Sequence, residues 1–263
     1  LLKEFRGKID LIYIDPPFDS NADYKKLISL RGIEISSELT SFEEKQYTDI
    51  WSNDEYLQFI YERLVLLREL LSNKGSLYLH CDYRKSSQLR IMLDEIFGFN
   101  NFVNEIIVCY TGPTNQKRNF PRKHDTIFLY SKTRDYIFND DMCRIGYKKS
   151  NFATGRTSLA GRAEDTYLEE LDETGKIIED YWMDIRTGSH IPKDIRNESG
   201  NYPTFKDPKL LERIVSVSSN PGDIVFDCFM GSGTTQAAAL RLGRRFIGAD
   251  INVGAIQITT KRL

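Results

Sequence analysis

From Ile224 the chain runs strand, glycine-rich turn, helix, strand, acidic residue. Ile224 to Cys228 is followed by Phe229-Met230-Gly231-Ser232-Gly233-Thr234-Thr235, an alanine-rich helix to Gly243, the strand Arg245 to Ala249, and Asp250. This order confines the chain to an α/β fold, because parallel strands need a crossover connection and their sheet is covered on both faces. Gly231 and Gly233 allow a tight turn with no Cβ between backbone and ligand, and the helix N-terminus offers N–H donors. An acidic residue about 20 positions on is placed to accept the two hydroxyls of a ribose. The turn lacks the third glycine of a dinucleotide fingerprint and the Gly-Lys-Thr of a nucleotide phosphate loop. It therefore suits a nucleoside with a short anionic tail better than NAD or ATP. The plainer alternative is a turn that only packs helix against strand.

A second strand ends in unusual chemistry. Ile9 to Phe18 reads Ile-Asp-Leu-Ile-Tyr-Ile-Asp-Pro-Pro-Phe, a buried β-rich run closed by a carboxylate, two prolines and an aromatic ring. Ligands of open α/β sheets bind outside the carboxyl ends of strands. The prolines stiffen the backbone and remove donors, so the local offer is hydrogen-bond acceptors beside a flat π surface. That suits an amino group on a planar heterocycle, with a simple strand-ending turn as the alternative.

Between these stretches, Asp19 to Ile50 has no steady period and is expected to be a long loop with short helical pieces. From Ser52, Leu57, Ile60, Tyr61, Leu64, Leu67, Leu70 and Leu71 recur at helical spacing, with Asn73-Lys74-Gly75 as the stop. A strand Ser76 to His80 and a helix with Leu89, Met92, Leu93 and Ile96, ending at Gly98, continue the alternation. Phe102 to Tyr110 and Asp125 to Ser131 have no helix between them, which predicts an antiparallel pair at the sheet edge. Their connecting loop carries Lys117, Arg118, Arg122 and Lys123, with Phe120 among them. Arg134 to Gly200 is irregular. Further on, Pro208 opens a helix with Leu210, Leu211, Ile214, Val215 and Val217 on its apolar face, and Asn252 caps the last helix.

A near-balance of 36 Lys+Arg and 38 Asp+Glu gives no global sign of a polyanion partner, yet it hides a split. Lys117 to Arg162 holds 11 Lys+Arg against 4 Asp+Glu, and Glu164 to Asp180 holds 8 Asp+Glu against one Lys. These are either two solvated faces that attract each other or a phosphate-contacting surface with an acidic neighbour. Cys81, Cys109, Cys143 and Cys228 are widely spaced and suggest neither a zinc site nor a disulfide framework. His80, His124 and His190 show no ligand spacing, so no metal is expected and all three read as structural. No stretch is apolar for a membrane-spanning length and the charged N-terminal stretch lacks the apolar run of a signal peptide, so a cytoplasmic location is expected. A start without Met and an end inside a helical pattern suggest a fragment of a longer protein.

Asp15-Pro16-Pro17-Phe18 and Phe226-Asp227-Cys228-Phe229-Met230-Gly231-Ser232-Gly233-Thr234-Thr235 resemble the catalytic and cofactor motifs of S-adenosylmethionine-dependent amino-group DNA methyltransferases. Their order, catalytic motif first, is similar to the permuted beta group that includes the modification subunits of type III restriction systems. Lys74-Gly75-Ser76-Leu77-Tyr78-Leu79-His80, the run His124 to Lys132, and Tyr202-Pro203-Thr204-Phe205-Lys206 extend the resemblance over nearly the whole chain. Two departures stand out. Asp207 separates Lys206 from Pro208 where the family has Lys-Pro, and a Gly-Asp-Asn segment before the catalytic strand is absent.

The resemblance implies an α/β, Rossmann-like methyltransferase sheet, circularly permuted, with an inserted target-recognition region. Residues 1–133 would be the catalytic half, 134–200 the recognition insertion and 201–263 the cofactor half. S-adenosylmethionine would be held by Lys206, Asp227, Phe229, Gly231, Ser232, Gly233, Thr234 and Asp250, with Asp227 alternatively a strand-end cap. Asp15, Pro16, Pro17 and Phe18 would act on the exocyclic N6 of an adenine flipped out of duplex DNA, and Lys117, Arg118, Arg122 and Lys123 would contact phosphates. The further partners implied are a second copy of the chain and a restriction subunit. An N4-cytosine enzyme, a protein-amide or RNA base methyltransferase, or a DNA-binding fragment without catalysis are the alternatives.

Overall fold

The computed structural model describes residues 1–17, 28–30, 33–35, 53–112, 114–146, 175–198, 202 and 204–263, with 28–30, 33–35, 53, 54 and 189 described without their side chains. In chain order the first half comprises α1 (Leu2–Phe5), β1 (Ile9–Ile14), β2 (Ile28–Leu30), β3 (Ile33–Ile35), α2 (Asn53–Leu70), β4 (Leu71–Cys81), α3 (Ser86–Phe97), β5 (Phe102–Cys109) and β6 (His124–Ser131). The second half comprises β7 (Arg144–Ile145), β8 (Lys176–Ile177), β9 (Tyr181–Trp182), α4 (Lys193–Glu198), α5 (Pro208–Ser218), β10 (Ile224–Asp227), α6 (Thr234–Arg241), β11 (Arg245–Gly248) and α7 (Val253–Arg262).

Seven strands form one sheet in the order β11-β10-β1-β4-β6-β5-β9. β1 lies parallel to both β10 and β4, pairing Leu11 with Val225 and Ser76, and Ile12 with Phe226 and Leu77. The first strand of the chain and one of its last are thus neighbours, the topology of a permuted sheet. Successive side chains of a strand point to opposite faces, and β1 is apolar on both. Ile12 and Ile14 pack with Tyr56, Ile60, Leu64 and Leu67 of α2, whereas Leu11 and Tyr13 pack with Leu210, Leu211 and Ile214 of α5 and Ala238 and Ala239 of α6. Each such aliphatic side chain, fully buried, is worth about 1.5–3 kcal/mol. The carboxyl ends of β1, β4, β10 and β11 share one edge of the sheet. The start of antiparallel β6 joins them, since Cys81 pairs with Thr126.

Three details differ from the sequence expectations. α2 ends at Leu70 and β4 begins at once, with Leu71 beside Ile9. The apolar stripe of the helix runs without a break into the first core residue of the strand, which hid the boundary. β5 is not the edge strand, because Tyr181 and Trp182 pair with its Ile107 and Val108. Trp182 and Ile185 are buried in the same core, but two residues are too short a strand to show a period. Within Asp19 to Ile50 the described part is an antiparallel pair, β2 and β3, that the sequence pattern does not announce; the short helical pieces expected there fall on the remainder, which lies outside the described residues. Among the described residues no helix is long and apolar enough to cross a membrane.

Candidate active site

Asp15 follows β1 directly. Its Oδ2 lies 3.0 Å from Lys206 Nζ in a largely buried ion pair, while its Oδ1 is buried with no hydrogen-bond partner among the described residues. A carboxylate oxygen in that state is costly unless a ligand completes it, by roughly 1–3 kcal/mol or more. Pro16 is buried and Pro17 exposed; Phe18 lies outside the described residues. Lys206, which the resemblance implies for the cofactor, reaches Asp15 Oδ2 from the loop before α5.

Behind Asp15 runs a buried polar chain. The Tyr13 hydroxyl is 2.8 Å from His80 Nδ1, and His80 Nε2 is 3.4 Å from Asp125 Oδ2. Burial raises the Asp125 carboxyl, but the His80 hydrogen bond, with Lys206 and His124 nearby, prevails and holds it below its ordinary value. Asp125 is then an anion that only accepts, so Nε2 carries the ring proton, and in the neutral imidazole Nδ1 accepts from Tyr13. Burial, followed by the charges of Asp15, Asp227 and Asp125, pushes the Tyr13 phenol well above its usual range, so it stays a donor. His80, which sequence alone cast as structural, is thus the middle of a buried chain whose Asp125 end feels the Lys206 charge.

One strand away the second set of predicted residues converges. Asp227 is 2% exposed; its Oδ1 accepts from Phe229 N at 2.9 Å and its Oδ2 from Thr235 Oγ1 at 2.6 Å. It caps the strand and ties it to α6. Gly231 and Gly233 have φ of +51° and +75°. A Cβ on Gly231 would stand 3.2 Å from the Tyr202 ring, and one on Gly233 would stand 2.4 Å from Thr259 Cγ2. Only glycine fits the turn. Asp250 braces it, one oxygen accepting from Gly231 N and the other from Asn252 N, both at 2.8 Å. Ser232 and Thr234 are buried, and Arg262 donates to the Ser232 carbonyl and the Thr234 hydroxyl.

Beside this loop opens a cavity of about 920 Å³ whose wall includes Phe59, Arg63, Phe226, Phe229, Asp250 and Ile251. Phe59 meets Phe229 with ring centroids 6.3 Å apart, and the Arg63 guanidinium lies 3.1 Å from the centroid of the Phe59 ring. Aromatic and aliphatic walls with a carboxylate among them suit a purine nucleoside. Phe59, Arg63, Ile251 and Arg262 were missed from sequence. Phe59 sits off the apolar stripe of α2, and nothing local announces that it faces β10.

The basic loop leaves the same sheet edge. Lys117, Arg118 and Arg122 are exposed and Lys123 is half-buried, all four on the loop between β5 and β6. Arg122 stacks over Tyr83, 4.2 Å from its ring centroid.

Comparison with known proteins agrees with this arrangement. Residues 9–261 match the profile of a family described as DNA methylase. The chain is 30% identical to the type II methyltransferase M.EcaI of Enterobacter cloacae over 97% of its own length and 64% of that relative's. It is 27% identical to the DNA adenine methyltransferase YhdJ of Escherichia coli K12, covering 97% of this chain and 76% of that one. In fold it resembles the M1.HpyAVI–SAM complex, with a TM-score of 0.55, 23% identity and coverage of 97% and 88%. With the family profile spanning nearly its whole length, the chain belongs to the N6/N4 DNA methylase family, whose methyl donor is S-adenosylmethionine.

Proposed function

We propose that this chain transfers a methyl group from S-adenosylmethionine to the exocyclic N6 of adenine in duplex DNA, as the modification activity of a restriction-modification system in the cytoplasm. The observation that carries this reading is the buried Oδ1 of Asp15, without a hydrogen-bond partner among the described residues and one strand from the glycine turn. Neighbouring strands are about 4.8 Å apart, so an acceptor for an amino group and a cradle for a nucleoside lie side by side.

The cofactor, when bound, supplies an electrophilic methyl group. Phe59, Phe229 and Ile251 would wall its adenine, Asp250 has lone pairs left for the ribose hydroxyls, and the backbone of Gly231 to Thr234 would follow its methionine end. Asp227 serves by holding that backbone in shape. On the target side, an adenine must leave the stack for its amino nitrogen to be reached. Asp15 Oδ1 and the Pro16 carbonyl accept the two amino hydrogens, which turns the nitrogen lone pair out of conjugation, and Phe18 stacks on the base. As the new N–C bond forms and the donor's sulfur–methyl bond gives way to leave a neutral thioether, one amino proton would pass to Asp15. Lys206 fixes the carboxylate from its other oxygen, so positioning supplies most of the acceleration.

The adenine assignment rests on the Asp-Pro-Pro-Phe resemblance and on the printed activity of the YhdJ relative. Duplex DNA is the macromolecular substrate, with a second copy and a restriction subunit as further partners. The test is incubation of the protein with DNA and labelled cofactor, followed by digestion to nucleosides. Label in N6-methyladenine is expected. Label in N4-methylcytosine alone would move the target to cytosine, and unlabelled nucleosides would sink the proposal.

A further inference from the structure

We propose that Phe120 is a wedge that enters the duplex where the target base leaves it, an inference that rests on the methyl-transfer reading above. Phe120 is 95% exposed, more than any other large apolar side chain among the described residues. A solitary exposed apolar side chain is ordinary in itself. Three features set this one apart.

The first is its setting. Lys117, Arg118 and Arg122 are exposed on the same loop, so the ring projects from a patch that would lie against phosphates. The second is the backbone. Pro121 follows Phe120, and a residue before proline is driven to extended conformations, which limits the ways the ring can fold back onto its own loop. The third is the root of the loop. Tyr110 N donates to the Lys123 carbonyl at 3.0 Å and Cys109 pairs with His124, closing the base of the loop on β5 and β6. Val108 of β5 pairs with Asp125 of β6, and Arg122 is stacked on Tyr83. The stem is therefore fixed to the Asp125 end of the buried chain. β6 is two strands from β1, so the stem stands about 10 Å to the side of Asp15.

A base drawn toward Asp15 leaves a gap in the stack beside this stem. Apolar side chains inserted at base steps unstack and hold them open, and a flat ring flanked by cations has the chemistry for that gap. Phe120 would act by slowing the return of the extruded base, without touching the reacting atoms.

Once the methylated sequence has been read from DNA exposed to the wild-type protein, single-turnover methylation is compared on two duplexes. One is fully paired; in the other the target adenine faces an abasic site, which removes the pairing that opposes extrusion. Phe120→Ala should lose roughly tenfold or more on the paired duplex and recover to near the wild-type rate on the abasic one, with Phe120→Trp close to wild type on both. Arg118→Gln, as the phosphate control, should weaken binding equally on both. Equal loss by Phe120→Ala on the two duplexes, or no loss on either, overturns the wedge alone. Wild-type protein that methylates neither duplex overturns the methyl-transfer reading and the wedge with it.

Discussion

Two carboxylates end adjacent strands of one sheet, and the fold treats them in opposite ways. Asp227, on β10, has both oxygens filled by donors of its own loop and helix, and the turn beyond it is tied again by Asp250, Arg262 and Thr259. Asp15, after β1, has one oxygen on Lys206 and the other buried with no partner among the described residues. The half proposed to hold the methyl donor is therefore finished, while the half proposed to hold the target is left one hydrogen bond short among the described residues. Preorganisation suits a cofactor that binds in every cycle in the same pose. An open acceptor suits a base that visits only when extruded, and supplies a hydrogen bond made only then.

Replacing Asp15 strikes the open side and carries the largest effect. Asp15→Ala should lower methyl transfer by roughly 10³-fold or more while calorimetric affinity for S-adenosylmethionine stays near wild type. A parallel loss of cofactor affinity would erase the distinction between the two halves. Gly233→Ala strikes the closed side. At φ +75°, with Thr259 Cγ2 2.4 Å from the new Cβ, the turn must move, and cofactor affinity should fall roughly tenfold or more with a stability loss of about 1–3 kcal/mol. Unchanged affinity would show that this turn is not the cradle. Lys206 lies between the halves, and Lys206→Met decides which it serves. Steady-state kinetics should show kcat down by roughly ten- to a hundredfold with the KM for cofactor unchanged, because the geometry puts its ammonium on Asp15. A raised KM with kcat intact would return Lys206 to the cofactor.

The contrast explains how much could be seen in the residues alone. The glycine turn, β1 and the helix opened by Pro208 are local objects, each marked by spacing or by a residue whose backbone is restricted, and the structure has them where the pattern put them. The Asn252 cap was equally legible, accepting from Gly254 N and Ala255 N. What sequence could not show were contacts between distant segments. Nothing near Lys206 signals Asp15, and nothing near His80 signals Tyr13 or Asp125, because those meetings are set by strand order. Phe59 on the cavity wall and the two-residue strand at Trp182 escaped for the same reason, since each depends on a partner that only the assembled sheet provides.

The smallest expected effect tests the claim that Asp227 is a brace buried at a cost. Burial, with Asp15 and Asp250 adding to it and the bonds from Thr235 and Phe229 opposing it, pushes this carboxyl from 3.8 up to about 7. The folded protein then holds a proton between about pH 4 and 7 that the unfolded chain has released, so this group makes stability fall as pH rises through that window and level off above it. Asp184 works in a lower window with the opposite sign. Burial raises it, but Arg213 and Lys209 prevail and hold it at about 2, so its contribution is lost only as the medium becomes strongly acidic. Asp227→Asn keeps an oxygen for Phe229 N and an amide that can donate to Thr235 Oγ1, yet has no proton to release. Urea midpoints measured from pH 4.5 to 8 should therefore decline less steeply in Asp227→Asn than in the wild type, by a slope of less than one proton. Parallel curves would mean that Asp227 is ionised in the folded state throughout, and that its two hydrogen bonds outweigh its burial.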